Sequence, residues 1–241
     1  MSHNLDELRI RFHSLLETLC DRYNLDDYIG DNEPEDVYNY WSGYDAAAEE
    51  LNIWCATGAT KFVIGDDKCD YIIKIQPPCV EGDMDYCARE VEVYNAAIAE
   101  GYEDKFAWTA KLFDFHFSDS ICLPVYVMEW CQCSYDMIDS EMDDWHYTNY
   151  CSSHCLEKGE EAYNKYNSAL DGRERCYSVM MLEWAFEMWG GEYTEDNEFV
   201  QFMRKMYIND IHAGNWGWCN NKLVLTDYSG YGEYVERDID Y

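Results

Sequence analysis

The sequence predicts an α+β protein with two lobes: a five-stranded antiparallel lobe carrying one helix, then a compact and mainly helical lobe. Between residues 51 and 130, short apolar runs alternate with turn residues, a pattern typical of strands. After residue 130, apolar residues recur three or four positions apart, which indicates helices. An apolar fraction of 48% and an aromatic fraction of 17% favour a folded globule over disorder. We therefore expect a helical extension at 1–50, a sheet lobe at 51–130 and a helical lobe at 131–241.

The N-terminal extension begins with a predicted amphipathic helix over residues 4–20. Its apolar positions share one helical face: Leu5, Leu8, Phe12, Leu15, Leu16 and Leu19. That face either packs on the chain's own sheet lobe or docks a partner. An acidic, turn-rich segment at 26–35 and a short helix at 46–51 are expected to follow.

Three antiparallel strands are predicted to open the sheet lobe, at residues 53–56, 60–64 and 71–75. Lys74 interrupts the apolar run of the third strand. A lysine in such a run either extends its ammonium group to water from an edge or is held inward by an anion. The strand pattern by itself leaves both alternatives open.

A helix at 86–99 and two further strands, at 111–117 and 121–129, are predicted to complete this lobe. The apolar face of the helix carries Val91, Tyr94, Ala97 and Ile98. Glu90 precedes Tyr94 by four residues and so lies on or beside that face, whereas Glu92 lies farther round the helix. The last strand is nearly all apolar, which predicts a central place in the sheet.

The second lobe is predicted to be helical and acidic. Its apolar faces indicate helices around Met137, at 163–170 and at 177–189. Thr194 is predicted to cap a further helix that has acidic residues in its first turn and Arg204 and Lys205 in its last. This helix leads the chain into the segment 209–217.

Polar side chains on two adjoining turns form the main functional motif. Asp210, His212 and Asn215 follow the pattern Asp-x-His-x-x-Asn, and Asp227 comes after a predicted hairpin and a short apolar strand. Carboxylate and amide oxygens are the ligands that Mg²⁺ prefers, and a carboxylate that binds no metal can orient an attacking hydroxyl. The motif therefore predicts an ATP–Mg²⁺ site.

In this motif, and in the order of the strands and helix before it, the sequence resembles the protein-kinase-like superfamily. His212 makes the loop similar to that of aminoglycoside and choline phosphotransferases. The resemblance implies a two-lobed kinase-like fold that binds ATP and Mg²⁺. It also implies that Lys74 contacts the α- and β-phosphates and pairs with Glu90.

The same resemblance assigns roles in the loop and at the strand end. Asp210 would act as the base or hydroxyl orienter, and His212 would support the loop. Asn215 and Asp227 would hold Mg²⁺. The implied activity is an ATP- and Mg²⁺-dependent phosphotransferase whose acceptor the sequence does not name.

Further nucleotide contacts follow from position alone. Gly58 is the one glycine left of the three that cover the phosphates in the family, and Lys61 stands near one of the lost positions. Lys61 either adds a positive charge by the phosphates or points to water. Met128 would back the adenine pocket, and the backbone from Glu129 to Cys131 would hydrogen-bond the adenine edge.

Several departures from the family pattern favour an alternative. Ile208 and Asn209 stand where the family usually has His and Arg, and Gly230 comes one place late after Asp227. The few residues after Asp227 lead us to expect a truncated second lobe without a substrate platform. The alternative is a pseudokinase that serves as an acidic protein-binding module, including a decoy that mimics nucleic acid.

The charge balance limits the partners. With 17 basic and 49 acidic residues the formal charge is −32, which disfavours nucleic acid and anionic membranes. A basic protein is the partner that this charge would attract, although the charge also serves solubility. The longest apolar run, 121–128, is too short to span a bilayer.

The twelve cysteines are scattered without a disulfide framework, and no signal peptide opens the chain, so we expect a reduced, cytoplasmic protein. His146, Cys151, His154 and Cys155, with Cys131 and Cys133 upstream, are close enough in sequence to be considered as zinc ligands. Their spacing does not match a paired Cys-x-x-Cys site, so free thiols are expected.

Overall fold

A computed structural model describes residues 4–22, 49–50, 52–57, 61–65, 69–76, 85–116, 122–146 and 174–230. Within these ranges the protein is α+β, as predicted, with a five-stranded antiparallel sheet, a two-stranded hairpin and five α-helices. The helices are α1 (Leu5–Arg22), α2 (Tyr86–Glu100), α3 (Tyr135–His146), α4 (Glu174–Met188) and α5 (Glu198–Lys205). The strands are β1 (Trp54–Thr57), β2 (Phe62–Gly65), β3 (Tyr71–Ile75), β4 (Thr109–His116), β5 (Cys122–Glu129), β6 (Trp216–Cys219) and β7 (Lys222–Leu225).

The chain divides into two compact units. The first comprises Met1–Ala96 and Trp108–Trp130, and the second comprises Ala97–Ala107 and Cys131–Tyr241. None of the described helices is long and apolar enough to cross a membrane.

The sheet of the first unit has the order β1-β2-β3-β5-β4, with every neighbouring pair antiparallel. The predicted strands are confirmed, with boundaries that differ by at most two residues. The prediction that β5 is internal is also confirmed, because it pairs with β3 on one side and β4 on the other. Lys74, in β3, lies opposite Val63 of β2 and Tyr126 of β5.

Helix α1 buries its apolar face on this sheet, in the same unit. Its buried residues Leu8, Phe12, Leu16 and Leu19 join one apolar cluster with side chains of β2, β3, β4 and β5. Packing on the chain's own sheet therefore explains the apolar face of α1, and docking to a partner is not needed to explain it. Leu5, predicted on the same face, is exposed, as is Ile10.

In the second unit, α3 and α4 are joined by a buried histidine. The ring Nε2 of His146 lies 3.1 Å from the carbonyl oxygen of Met180. Farther along the chain, β6 and β7 form a tight hairpin in which Asn220 and Asn221 both have positive φ, at 50° and 62°. Asparagine tolerates this left-handed backbone, which matches the twist of the flanking strands.

The predicted cap of helix α5 was wrong by three residues. The side chain of Asn197, not Thr194, accepts the N–H of Phe199, and the helix begins at Glu198. Thr194 instead accepts the N–H of Asn197 through its carbonyl oxygen. Arg204 and Lys205 lie in the last turn, as predicted.

Several sequence predictions fall outside the described residues. They are Gly58, the acidic segment 26–35, most of the helix at 46–51, the helix at 163–170, Cys151, His154 and Cys155.

Candidate functional site

The first unit contains a buried cluster of three charged side chains. Lys74 Nζ lies 3.1 Å from both carboxylate oxygens of Glu90, and Lys61 Nζ lies 2.6 Å from Oε1 of the same carboxylate. All three residues are buried: Lys74 is 5% exposed, Glu90 is 0% exposed and Lys61 is 4% exposed. The predicted Lys74–Glu90 ion pair is thus confirmed, and of the two alternatives for Lys61, exposure to water is wrong.

The local sequence explains how the cluster forms. Ile73 and Ile75 flank Lys74 in β3 and are fully buried, so the strand is fixed by apolar packing on either side of the lysine. Helix α2 brings Glu90 into the protein interior together with Cys87 and Val93, which are also fully buried. Burial would make a lone carboxylate strongly unfavourable, and two ammonium groups at hydrogen-bond distance offset that cost.

The buried face of α2 differs from the prediction. Ala97 is buried as expected, but Ile98 is 50% exposed and Val91 and Tyr94 are only half-buried. The buried face runs instead through Cys87, Glu90 and Val93. The prediction differs because it placed only apolar side chains on the buried face, whereas the structure buries the carboxylate of Glu90 there. Glu92, the alternative partner, is exposed and pairs with Arg89 at 2.6 Å.

Helix α2 is also anchored by Asp85, a contact that the sequence analysis missed. Asp85 caps the helix by accepting the N–H of Ala88 at 2.8 Å, and its other oxygen accepts the hydroxyl of Tyr126 at 2.6 Å. Burial, followed by this bond, raises the pKa of Tyr126. The signal available in the sequence was an aspartate placed immediately before a predicted helix.

The second unit holds the Asp-x-His-x-x-Asn loop in a defined geometry. His212 Nε2 lies 3.5 Å from Asp210 Oδ2, while its Nδ1 accepts the N–H of Gly214 at 3.1 Å. The amide nitrogen of Asn215 donates to the carbonyl oxygen of Asp210 at 2.8 Å. These bonds close the loop upon itself, which agrees with a supporting role for His212.

Charge in the loop is stabilised by its own members. Burial alone raises the pKa of Asp210, but bonds from His212 and Asn215 outweigh it and hold the pKa below its usual value. The hydrogen bond to Asp210 raises the pKa of His212, and the charges of Asp210 and Asp227 raise it further, whereas burial opposes the shift. Because Gly214 donates to Nδ1, the neutral ring carries its proton on Nε2, facing Asp210.

The loop is tied directly to the end of strand β7. The carbonyl oxygen of Asn215 accepts the N–H of Thr226 at 2.8 Å and that of Asp227 at 3.4 Å. Ser229 Oγ donates to Asp227 Oδ1 at 3.3 Å. The structure therefore brings Asp210, Asn215 and Asp227 into one cluster, as the sequence motif predicts.

The late glycine after Asp227 has a steric reason. Tyr228 is fully buried, with its hydroxyl donating to the carbonyl of Ala107 at 2.8 Å. Gly230 has φ +64°, and a Cβ there would lie 2.0 Å from the carbonyl oxygen of Tyr207. Only glycine combines that backbone with so close an approach.

The segment predicted to contact adenine shows a mixed result. Met128 is buried in β5, at 1% exposure. The N–H of Glu129 donates to Trp108 and that of Trp130 donates to Asp70, so two of the predicted donors already serve the first unit. The carboxylate of Glu129 also accepts the N–H of Trp108 at 2.9 Å, whereas Cys131, the third residue of the segment, is buried.

The oxygen donors fit Mg²⁺ that arrives with a nucleotide. In the described part of the chain no group of three or more His, Cys, Asp or Glu side chains is arranged to hold a metal. Mg²⁺ is commonly bound by one or two protein groups together with substrate phosphates, which an amide oxygen and a carboxylate satisfy. The bond from the Asn215 nitrogen to Asp210 leaves the amide oxygen as the atom that would face the metal.

The zinc alternative gains no support from the described residues. Burial lowers the pKa of His146, whose ring nitrogen lies 3.1 Å from the carbonyl oxygen of Met180, and Cys151, His154 and Cys155 lie outside the described ranges. Cys131 and Cys133 are described, and they belong to no group of three or more metal-binding side chains in the described part of the chain. Eight cysteines in the described part of the chain are not joined in a disulfide.

The lysine cluster and the polar loop thus each have defined geometry within their own unit. No protein-family model matches the chain, and no curated protein matches it either.

Proposed function

We propose that the protein is an ATP- and Mg²⁺-dependent phosphotransferase with a two-lobed protein-kinase-like fold. The observation that carries the proposal is the buried ion pair between Lys74 and Glu90. A helix glutamate is ordinarily solvated, and a strand lysine is ordinarily exposed. Their burial together, in the order strand then helix, is the arrangement that positions a lysine for nucleotide phosphates.

The polar loop supports the same chemistry. Bound MgATP would supply the phosphoryl group and a cation that neutralises its charge. Asn215 and Asp227 are assigned to the metal, since their oxygens lie on segments joined by backbone hydrogen bonds. Lys74 is assigned to the α- and β-phosphates.

Asp210 is assigned to the acceptor hydroxyl. Its lowered pKa keeps it ionised at neutral pH, so it accepts a hydrogen bond from the hydroxyl and orients it. A carboxylate with a low pKa is a weak base, which suits late proton transfer in a loose phosphoryl-transfer transition state. His212 holds the carboxylate in place by facing its Oδ2.

Two substitutions separate these roles. Asp227→Asn removes a full negative charge from the metal site, so Mg²⁺-dependent nucleotide binding should weaken by about tenfold or more. Asp210→Asn should leave binding within about twofold while lowering turnover by about a hundredfold or more. Nucleotide titration and a phosphotransfer assay on the same preparations measure both.

The outcomes distinguish an enzyme from a binding module. If Asp210→Asn changes no transfer reaction while nucleotide binding still depends on Asp227, the protein is a pseudokinase that serves as an acidic interaction module. The proposal also includes a cytoplasmic location, in line with cysteines that are scattered without a disulfide framework, and a basic protein partner or acceptor, supported by the charge of −32.

A further inference from the structure

Two exposed tryptophans form a pair at one end of the sheet in the first unit. The rings of Trp54 and Trp130 pack edge to face, with their centroids 4.9 Å apart and their planes at 63°. Trp54 is 46% exposed and Trp130 is 38% exposed, so both rings keep much of their surface in water. Single exposed apolar side chains are ordinary, but tryptophan is enriched among the residues that dominate binding energies at interfaces.

The sheet holds the two rings in a fixed arrangement. Trp54 opens β1 opposite Gly65 of β2, and the backbone N–H of Trp130 donates to the carbonyl oxygen of Asp70 at 2.8 Å. A Cβ at Gly65 would clash with the ring of Trp130 and lie 3.2 Å from the ring of Trp54. Both rings therefore lie against the backbone of Gly65. A ligand that binds rings already held in place loses less of its binding energy to side-chain ordering.

We propose that the Trp54–Trp130 pair is the docking surface for an arginine-containing basic segment of a partner protein. The inference rests on the basic partner proposed above and names the surface that receives it, and it does not depend on MgATP. A cation is attracted to the face of an aromatic ring, most strongly to that of tryptophan. The planar guanidinium of arginine also stacks on such a ring and is more weakly hydrated than an ammonium group.

Charge favours this occupant over the others that an aromatic surface could receive. The formal charge of −32 attracts a basic segment, whereas it repels a second copy of this chain and an anionic membrane. Asp70, whose carbonyl oxygen binds Trp130, is itself exposed. It thus adds a carboxylate beside the pair, and a guanidinium forms charge-assisted hydrogen bonds with carboxylates.

The second unit contains a contact of the proposed kind between two of its own residues. Lys105 Nζ lies 4.5 Å from the centroid of the Trp189 ring. This distance is within the range of about 6 Å over which a cation is attracted to an aromatic face. A guanidinium from the partner would approach Trp54 or Trp130 in the same way.

The test is titration of oligo-arginine and oligo-lysine peptides of equal length into the full-length chain, at about 0.15 M salt. Wild type is compared with W54L and W130L, which keep an apolar side chain but lose the aromatic face. Wild type should bind oligo-arginine about fivefold tighter than oligo-lysine, and each leucine variant should lose most of that preference. Ile10→Ala is the control, because Ile10 is an apolar residue of the same unit and is 73% exposed. It should keep the preference within about twofold.

Other results would overturn the inference. It is wrong if wild type does not bind oligo-arginine, or if W54L and W130L keep the wild-type preference for arginine. An uncharged leucine–serine peptide that binds as tightly as oligo-arginine would show that the partner is apolar. Dimerisation of wild type that W54L abolishes would show that a second copy covers the pair.

Two features keep the test decisive. Urea unfolding shows whether each variant is folded, and either leucine variant that folds decides, because the two replacements lie on different segments of the sheet. Every titration is made without MgATP. Failure of the proposed phosphotransferase function and failure of this inference are therefore separate results.

Discussion

The two polar clusters of this protein are built on opposite principles. The cluster in the first unit is dry and held by charge, with side-chain exposures of 1–6% for Lys61, Lys74 and Glu90. The cluster in the second unit is half-exposed, at 32% for Asp210 and 42% for His212, and is held mainly by backbone hydrogen bonds. Changes in the first cluster should therefore affect folding, whereas Asp210 and His212 in the second can be changed at less cost in stability.

This difference sets where mutations should act. A buried ion pair that loses one member leaves an uncompensated charge, so the fold itself should weaken. In the loop, the fragile part is the backbone, which close packing at Gly230 and the carbonyl of Asn215 hold in place. Its side chains should affect ligand binding and turnover instead.

The largest effect is expected at Glu90. Glu90→Ala should lower the free energy of unfolding by about 3–5 kcal/mol, because two ammonium groups are then buried without their carboxylate. Glu92→Ala is the matched control on the same helix. Glu92 is exposed and pairs with Arg89 at the surface, so its loss should cost about 0.5 kcal/mol or less. Urea unfolding followed by tryptophan fluorescence measures both, and equal costs would show that the cluster does not stabilise the fold.

The next effect is expected in the backbone of the loop region. Gly230→Ala should cost about 2–4 kcal/mol, since an added Cβ meets the carbonyl of Tyr207 in a left-handed backbone. Gly101→Ala isolates the backbone contribution, because Gly101 has φ +78° with nothing within 4 Å of an added Cβ. That control should cost about 1 kcal/mol. If Gly230→Ala is as stable as Gly101→Ala or more stable, the close approach between an added Cβ at Gly230 and the carbonyl of Tyr207 is contradicted.

The smallest effect is the pH dependence of the Asp210–His212 contact. Because the folded pKa of His212 is raised, its contribution is complete below its ordinary pKa of about 6.5 and is lost as pH rises through the folded pKa. The lowered pKa of Asp210 keeps its contribution present above its ordinary pKa of about 3.9 and removes it at more acidic pH. Both side chains are about one-third exposed or more, so the total should stay under about 1 kcal/mol.

His212→Asn provides the comparison, because asparagine can still accept the N–H of Gly214 at this cap position. The stability difference between wild type and this variant should be largest near pH 5.5 and shrink toward pH 8.5. A difference that stays constant over this range would show that the imidazole charge has no part in the contact.

The sequence predicted some of these features for reasons that can be stated. Lys74 and Glu90 could be paired because the order of the strand and the helix resembles that of the protein-kinase-like superfamily, in which a strand lysine pairs with a helix glutamate. The partnership of Lys61 could not, since a residue at the start of a short strand has no periodicity to fix its direction. Likewise, Thr194 and Asn197 are both good cap residues, and the sequence does not distinguish between them.

The same limits applied to Gly230 and to α2. Tyr228 is fully buried and the left-handed position falls at Gly230, a combination that no local pattern reveals. On α2, an apolar pattern placed Ile98 inside and left the carboxylate of Glu90 at the margin, because hydropathy counts a charged group as exposed. Burial of charged groups is what such patterns miss.

The most direct test of the account is the stability of the wild-type chain with ATP, in the presence of Mg²⁺ and in the presence of EDTA. At a hundredfold excess of MgATP over its dissociation constant, the free energy of unfolding should rise by about 2.7 kcal/mol, and EDTA should remove most of that gain. The contrary result is an unfolding transition that is the same in three samples: without nucleotide, with ATP and Mg²⁺, and with ATP and EDTA. In that case the protein does not bind MgATP, and the assignment of Lys74, Asn215 and Asp227 is wrong.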